Sequence, residues 1–215
     1  MPELSFQIEE AQVAQFAATP ELIFKLHVKN RFADERIHTI ALRAQIQIET
    51  TRRRYTPEEQ SRMLDLYGEP ERWSQTLKTL LWTHASVVVP AFQDETRVDL
   101  HVPCTFDFNV AATKYFAGLF SGEIPLCFQF SGTVFYAPSG GSLQVGPISW
   151  DQEAQFKLPV SLWREMMDSY YPNTAWLCLR RDVFERLNQY KTQRGIPTWE
   201  QVMETMLAEE EAVRR

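Results

Sequence analysis

Apolar and polar residues alternate with a period of two over much of this chain. Successive side chains of a β-strand point to opposite faces, so the alternation predicts strands that bury one face. Polar residues 30–36 separate two such segments, and we expect those two strands to pair antiparallel. The predicted strands cover residues 4–13, 22–28, 40–48, 82–89, 98–110, 124–136, 143–148 and 176–179.

The clearest of these strands spans residues 98–110, where apolar side chains share one face and polar side chains the other. Pro103 falls on the polar face and has no backbone donor, so it predicts a sheet edge or a bulge at that point. Residues 124–136 form a further strand, with a kink expected at Gly132. The turn at residues 138–141 then leads into residues 143–148 as a hairpin.

Helix signals interrupt the alternation in the middle of the chain and dominate its C-terminal part. Thr56, Pro57 and Glu59 have the arrangement of an N-cap, a first-turn proline and a capping box, and Gly68 ends the segment. The strand pattern resumes near Leu80. Apolar spacing and capping residues predict further helices at residues 162–170, from 182 to 195 and from 198 onward.

These elements predict a mainly β (α+β) protein, an antiparallel β-sandwich of about eight or nine strands with a C-terminal helical cap. No repeat or flexible linker divides the chain, so we predict one domain over residues 1–215. Its sandwich covers residues 1–158, with a small helical insertion at residues 56–80. The helical C-terminal part covers residues 159–215.

Composition narrows the class of protein. The chain has 215 residues, 44% hydrophobic and 23% charged, which is typical of a globular protein with a packed core. Its formal net charge of −6 disfavours nucleic acids and anionic membranes, because both bind positive surfaces. Cys104, Cys127 and Cys178 are widely spaced, as in proteins of reducing compartments. With no signal-peptide pattern and no apolar run of roughly 18 residues, we expect a cytoplasmic protein.

The sequence gives only weak support for a catalytic or metal-binding site. Asp99 and His101 share one strand face near Cys104, but the alternation sends Cys104 to the apolar face, where we expect a buried, unreactive thiol. The histidines are isolated and lack the spacing of a metal site. We therefore predict no metal, no cofactor and, on balance, no enzyme. The four histidines are His27, His38, His84 and His101.

The arginine triplet, Arg52 to Arg54, is the best candidate for a binding surface. Arginine and aromatic side chains in loops are typical of interaction hot spots and anion sites, because the guanidinium group stacks and donates two parallel hydrogen bonds. The other interpretation is a solvated loop that improves solubility. The predicted partner-binding residues are Arg52, Arg53, Arg54, Tyr55, Arg72 and Trp73.

Short blocks spread over nearly the whole chain carry a family resemblance. They are IALRAQIQI at residues 40–48, RRY at 53–55, LYG at 66–68, RW at 72–73, LWTH at 81–84, VPCT at 102–105, FSGTVF at 130–135 and WREMMD at 163–168. In these blocks the chain resembles an uncharacterised bacterial family, a domain of unknown function. The resemblance implies a cytosolic protein encoded near nickel–iron hydrogenase genes, with an accessory or assembly role and a hydrogenase-related partner. It supplies no catalytic residues.

Three hypotheses for function follow. The first is a non-catalytic binding or accessory protein, an assembly or maturation factor that acts through protein–protein contacts at the arginine loop. The alternative is a small-molecule-binding protein or enzyme, with a pocket between the sheets or beneath the C-terminal helices. The third is self-association, through the strand edge at Pro103 or the methionine-rich last helix.

Overall fold

The computed structural model describes residues 2–31, 35–105, 110–138, 140–174, 177 and 179–214. The chain divides into two compact units, Met1–Thr174 and Ala175–Arg215. The strands of the first unit are β1 (Leu4–Val13), β2 (Glu21–Asn30), β3 (Glu35–Ile48), β4 (Leu80–Val89), β5 (Glu95–Pro103), β6 (Glu123–Pro138), β7 (Gln144–Pro147) and β8 (Glu153–Pro159). The extent of the domain, predicted as residues 1–215, stays a prediction.

The helices lie where the sequence predicted them, with one addition. They are α1 (Pro57–Arg62), α2 (Leu64–Tyr67), α3 (Trp73–Thr76), α4 (Val110–Gly118), α5 (Val160–Tyr170), α6 (Arg181–Gln193) and α7 (Trp199–Val213), with 3₁₀ turns at Thr50–Arg52 and Pro70–Arg72. Helix α4 was not predicted. None of the described helices is both long and apolar enough to cross a membrane.

The strands form two antiparallel sheets. Sheet A has the order β1-β2-β5, and sheet B has the order β4-β3-β6-β7, with β8 also paired to β6. The predicted fold class, mainly β with an antiparallel sandwich, is confirmed. The predicted pairing of β2 with β3 is wrong, because β2 pairs with β1 and β5 while β3 pairs with β4 and β6. Both strands have one apolar face that is buried between the sheets, and alternation alone does not tell whether two such strands pair in one sheet or lie in opposite sheets.

The core lies between the two sheets. On β2 the apolar face predicted from alternation is fully buried, and its Phe24 ring lies 5.0 Å from that of Phe128 on β6. Phe6 of β1 stacks on Phe130 at 4.6 Å. At the margins of the sheets β5 contacts β4 and β1 contacts β8. Each such buried side chain contributes about 1.5–3 kcal/mol of transfer free energy, so this aromatic layer holds the sheets together.

The long strand predicted over residues 98–110 is shorter in the structure. Strand β5 ends at Pro103 and lies at the edge of sheet A, one of the two placements that this proline predicted. Val110 begins α4 instead of continuing the strand, and residues 106–109 lie outside the described residues. Ala112, Tyr115 and Phe116 are buried at the helical spacing of three and four. Val110 fits both the two-residue period of a strand and the period of a helix. The prediction therefore extended the strand beyond its end at Pro103.

The predicted helical insertion is confirmed in its capping. Thr56 accepts a hydrogen bond from the Glu59 backbone at 3.2 Å, and Glu59 accepts one from the Thr56 backbone at 3.1 Å. Gly68 follows α2 with φ of +71°. Strand β4 begins at Leu80, where the strand pattern was expected to resume. Strand β8 was not predicted, because its alternation is short and follows a turn.

The second unit contains α6 and α7. The N-cap of α6 is Arg180, so Asp182 lies in the first turn and not at the predicted cap. Thr198 caps α7 as predicted and accepts from the Gln201 backbone at 3.2 Å. The rings of Phe184 and Trp199 lie 5.3 Å apart. Of the short strand predicted at residues 176–179, two residues lie outside the described residues and the other two are in no strand.

A glycine in β6 sets how closely two strands of sheet B approach. Gly132 pairs with Leu42 of β3 and has φ of +149°. A Cβ at this position would lie 2.1 Å from the carbonyl oxygen of Ala41. No rotamer change relieves a contact with the backbone, so any side chain here must push β3 and β6 apart.

We predict that Gly132→Ala lowers the free energy of unfolding by about 3 kcal/mol or more, because strain and a backbone clash add. Gly140→Ala is the control, since its φ is also positive, at +72°, but among the described residues no atom beyond its chain neighbours lies within 4 Å of the added Cβ. It should cost only about 1 kcal/mol. Urea denaturation of both variants measures the difference, and equal losses would contradict the prediction.

Candidate functional site

Arg53, in the loop after β3, is largely buried. Its Nη2 lies 2.6 Å from Oε1 of Glu59, and the two side chains are only 9% and 2% exposed. The same guanidinium group donates to the carbonyl oxygens of Ser121 and Glu123, each at 2.7 Å. One side chain therefore ties the loop after β3 to α1 and to the turn that opens β6.

Glu59 uses its carboxylate fully in this arrangement. Besides the ion pair with Arg53 and the capping bond to Thr56, it accepts from the backbone of Phe120 at 3.1 Å. A buried ion pair is tolerated when such hydrogen bonds replace the lost water. Nε of Arg53 is buried and has no hydrogen-bond partner among the described residues, so this pair serves to fix the loop at some cost in desolvation.

An aromatic cluster supports the loop from beneath. The Tyr55 hydroxyl donates to the carbonyl of Thr50 at 2.6 Å and lies 2.9 Å from the hydroxyl of Tyr115. Trp73 packs edge-on against Tyr55 at 5.2 Å and donates from its indole to the carbonyl of Gly68 at 2.9 Å. Burial raises the pKa of Tyr115 to about 12, so this hydroxyl is neutral near pH 7 and acts as a structural donor.

A cleft of about 350 Å³ opens beside this loop. It brings together the loop after β3, the turn before β6 and a lysine of β8, which are distant in sequence. Four of its side chains are cationic and two are acidic, on a chain whose net charge is −6. The lining residues are Arg52, Arg53, Arg54, Thr56, Glu59, Ser121, Gly122, Glu123, Pro125 and Lys157.

The six residues predicted to bind a partner do not form one surface. Arg52 and Arg54 are exposed and line the cleft. Trp73 is buried, Tyr55 is partly buried and the Arg53 side chain is 9% exposed, so these three side chains present little surface to a partner. Arg72 is exposed on a 3₁₀ turn but does not line the cleft. Partner binding by these residues stays a prediction.

Lys157 and the turn at residues 121–123 are the part of the cleft that sequence reasoning missed. No predicted strand or helix covers this turn, and Lys157 belongs to the unpredicted strand β8. Pairing of β8 with β6 places Lys157 opposite Pro125. The two segments lie far from Arg52 along the chain, and no local pattern links them.

Further cations lie next to the same turn. The guanidinium carbons of Arg62 and Arg164 lie 4.3 and 5.4 Å from the ring centroid of Phe120, which precedes Ser121. No salt bridge to Arg54, Arg62 or Arg164 is formed within the part of the chain that the structure describes. These three arginines therefore have no carboxylate within 4 Å among the described residues.

The grouping of Asp99, His101 and Cys104 is not a catalytic site. Asp99 pairs with Lys25 at 2.8 Å, and His101 contacts Glu21. Cys104 is buried as the alternation predicted, and burial raises the pKa of its thiol to about 12. The three side chains have separate structural partners.

The histidines likewise have structural or solvent-exposed settings. His27 lies between the carboxylates of Glu9 and Glu95, at 3.2 and 3.1 Å. His84 lies 3.2 Å from the Gln45 side chain, and His38 is exposed. No group of three or more histidine, cysteine or acidic side chains suited to a metal ion occurs among the residues described.

One cavity of the first unit is too small for the small-molecule alternative. A cavity lined by Trp82, Cys104, Phe116 and Trp163, among others, has a volume of only about 10 Å³. That volume holds one water at most. Trp163 belongs to α5, so the cavity borders that helix.

The model of a family of unknown function, DUF6084, matches residues 1–215. The chain belongs to this family. The resemblance to a domain of unknown function is thereby confirmed, whereas the association of DUF6084 with hydrogenase genes stays a prediction. No curated protein matches the chain. A solved structure, the X-ray structure of Northeast Structural Genomics Consortium target SoR45, has a TM-score of 0.23 and 9% identity over 84% of this chain and 93% of that one, and such a score supports no argument.

We predict that Arg53→Ala lowers the free energy of unfolding by about 3–5 kcal/mol, because it leaves the Glu59 carboxylate buried and unpaired. Arg54→Ala is the matched control: the neighbouring arginine is exposed and should change stability by no more than about 0.5 kcal/mol. Chemical denaturation measures both. Equal effects of the two variants would show that the buried pair does not hold the loop.

Two described thiols should be unreactive in the folded protein. Burial raises the pKa of Cys104 to about 12 and that of Cys127 to about 11, so at pH 8 almost no thiolate exists. In a Cys178→Ser variant, dithiobis(nitrobenzoate) should label neither thiol at pH 8 until denaturant is added. Rapid labelling of the native variant would contradict the burial of these residues.

Proposed function

We propose that this protein is a non-catalytic binding protein, with an accessory role, and that it holds a protein partner at the cleft beside Arg52 and Arg54. Partner binding at an arginine-containing loop is the function that the geometry of the first unit supports best. A hydrogenase-related component, implied by the family resemblance, is the partner class to look for first.

The observation that carries the proposal is the state of Arg54. It is exposed and lines a cleft, and it has no carboxylate partner among the described residues. Its neighbour Arg53 is fixed by the buried pair with Glu59, so the backbone that presents Arg54 is already ordered before binding. Preorganisation lowers the entropic cost of association, which favours a binding role for this loop.

The chemistry of the cleft favours binding over catalysis. Its lining contains no histidine and no cysteine. Its buried acid, Glu59, is committed to Arg53 and two backbone donors. The other acid of the lining, Glu123, pairs with Lys157, so both acids have cationic partners. General acid–base and nucleophilic catalysis instead use a group that is free to exchange a proton or attack a substrate.

We predict that the double variant Arg52→Gln, Arg54→Gln loses specific partners in quantitative affinity capture from the native host, with its melting temperature nearly unchanged. The control is Arg36→Gln, Arg43→Gln, which removes two exposed arginines of β3 and changes the net charge equally. Captured candidates are then tested as purified proteins. Identical profiles for both variants would remove the proposal, and light scattering of the wild type tests the alternative of self-association.

A further inference from the structure

Two cationic side chains of the cleft already form ion pairs with carboxylates of the same chain. Nζ of Lys157 lies 3.4 Å from Oε2 of Glu123, and both side chains are more than half exposed, at 72% and 55%. Arg52 pairs with Glu49 at 3.1 Å. The Lys157–Glu123 ion pair is weak because both side chains are exposed and water and salt compete with it. An incoming carboxylate can therefore replace Glu123 at little cost, whereas Glu49 is only 15% exposed and holds Arg52 more firmly.

Arg54 gives the cleft a cation that needs no such exchange. Its guanidinium group presents donors in a planar fork that matches the two oxygens of a carboxylate. Arg54 and Lys157 line one cleft, so a ligand with two acidic side chains can use both. The order of contacts follows: Arg54 first, and Lys157 once Glu123 is displaced.

The size and lining of the cleft argue against a nucleic acid. About 350 Å³ lies at the small end of ligand sites and suits one or two side chains. Bases bind single-strand sites by stacking on aromatic rings, yet no aromatic residue lines the cleft. The nearby ring of Phe120 is already approached by Arg62 and Arg164.

Resting on the proposed function, we infer that the partner supplies an acidic peptide segment, whose carboxylates bind Arg54 and Lys157. Glu123 acts as an internal competitor that holds Lys157 until the segment arrives. Competition by Glu123 for Lys157 has a consequence that long-range charge attraction alone does not have. Removing one acid at the cleft should tighten binding more than removing an acid elsewhere.

The test uses a fluorescein-labelled hexaglutamate peptide, with fluorescence anisotropy at low ionic strength and hexaglutamine as the neutral control. We expect Arg52→Gln, Arg54→Gln to weaken binding about tenfold or more, and Glu123→Gln to tighten it about two- to fivefold. Glu58→Gln, in α1 and outside the cleft lining, is the matched control for Glu123→Gln. It should have a smaller effect.

Equal affinity for the glutamate and glutamine peptides would overturn the inference, and so would Glu123→Gln binding no tighter than Glu58→Gln. A phosphoserine peptide is the second arm: binding stronger than that of hexaglutamate, lost in the arginine variant, would replace carboxylate by phosphate as the ligand group. Capture of a partner that depends on the arginines, without peptide binding, leaves the proposed function standing and removes only the acidic segment. Loss of both removes both.

Discussion

The buried ion pair between Arg53 and Glu59 is the constraint on which the candidate site depends. Taking two charges out of water is unfavourable, and the pair persists because five hydrogen bonds surround it: Arg53 donates to Glu59, Ser121 and Glu123, while Glu59 also accepts from the backbones of Thr56 and Phe120. Two of these partners cap a helix and open a strand. The pair thus fixes the walls of the cleft to each other. It also holds the backbone on which the exposed Arg52 and Arg54 lie.

The sandwich supplies the frame for this loop. Strand β3 ends at Ile48, β6 begins at Glu123 and β8 ends at Pro159, and the register between them brings these ends to one place. The backbone of Glu49 donates to Pro125 at 2.9 Å, directly beside the cleft. The site is therefore built on the ends of paired strands, which is a more rigid support than a free loop.

The cleft groups cationic side chains on a chain whose net charge is negative, and this contrast bears on which anions can bind there. A net charge of −6 repels large polyanions at a distance. Arg62 and Arg164 lie around Phe120, form no salt bridge within the described residues, and attract anions within about a Debye length, roughly 10 Å at moderate salt. The proposed ligand, a short acidic segment, fits this local attraction better than an extended nucleic acid does. Within the arginine triplet, Arg53 is structural, Arg52 pairs with Glu49, and Arg54 forms no salt bridge within the described residues.

Sequence alone determined the features that depend on near neighbours: the alternating face of β2, the capping box at Thr56 and the burial of Cys104, because strand and helix periods act within a few residues. It also placed the triplet in a loop after a strand. Only the tertiary structure decided that β2 and β3 belong to different sheets, that Val110 begins a helix and that Arg53 turns inward to Glu59. Each of these outcomes depends on contacts between segments that are distant in the chain. An apolar strand face or an arginine could bind several such segments with similar free energy, and only the packing of the whole fold selects one of them.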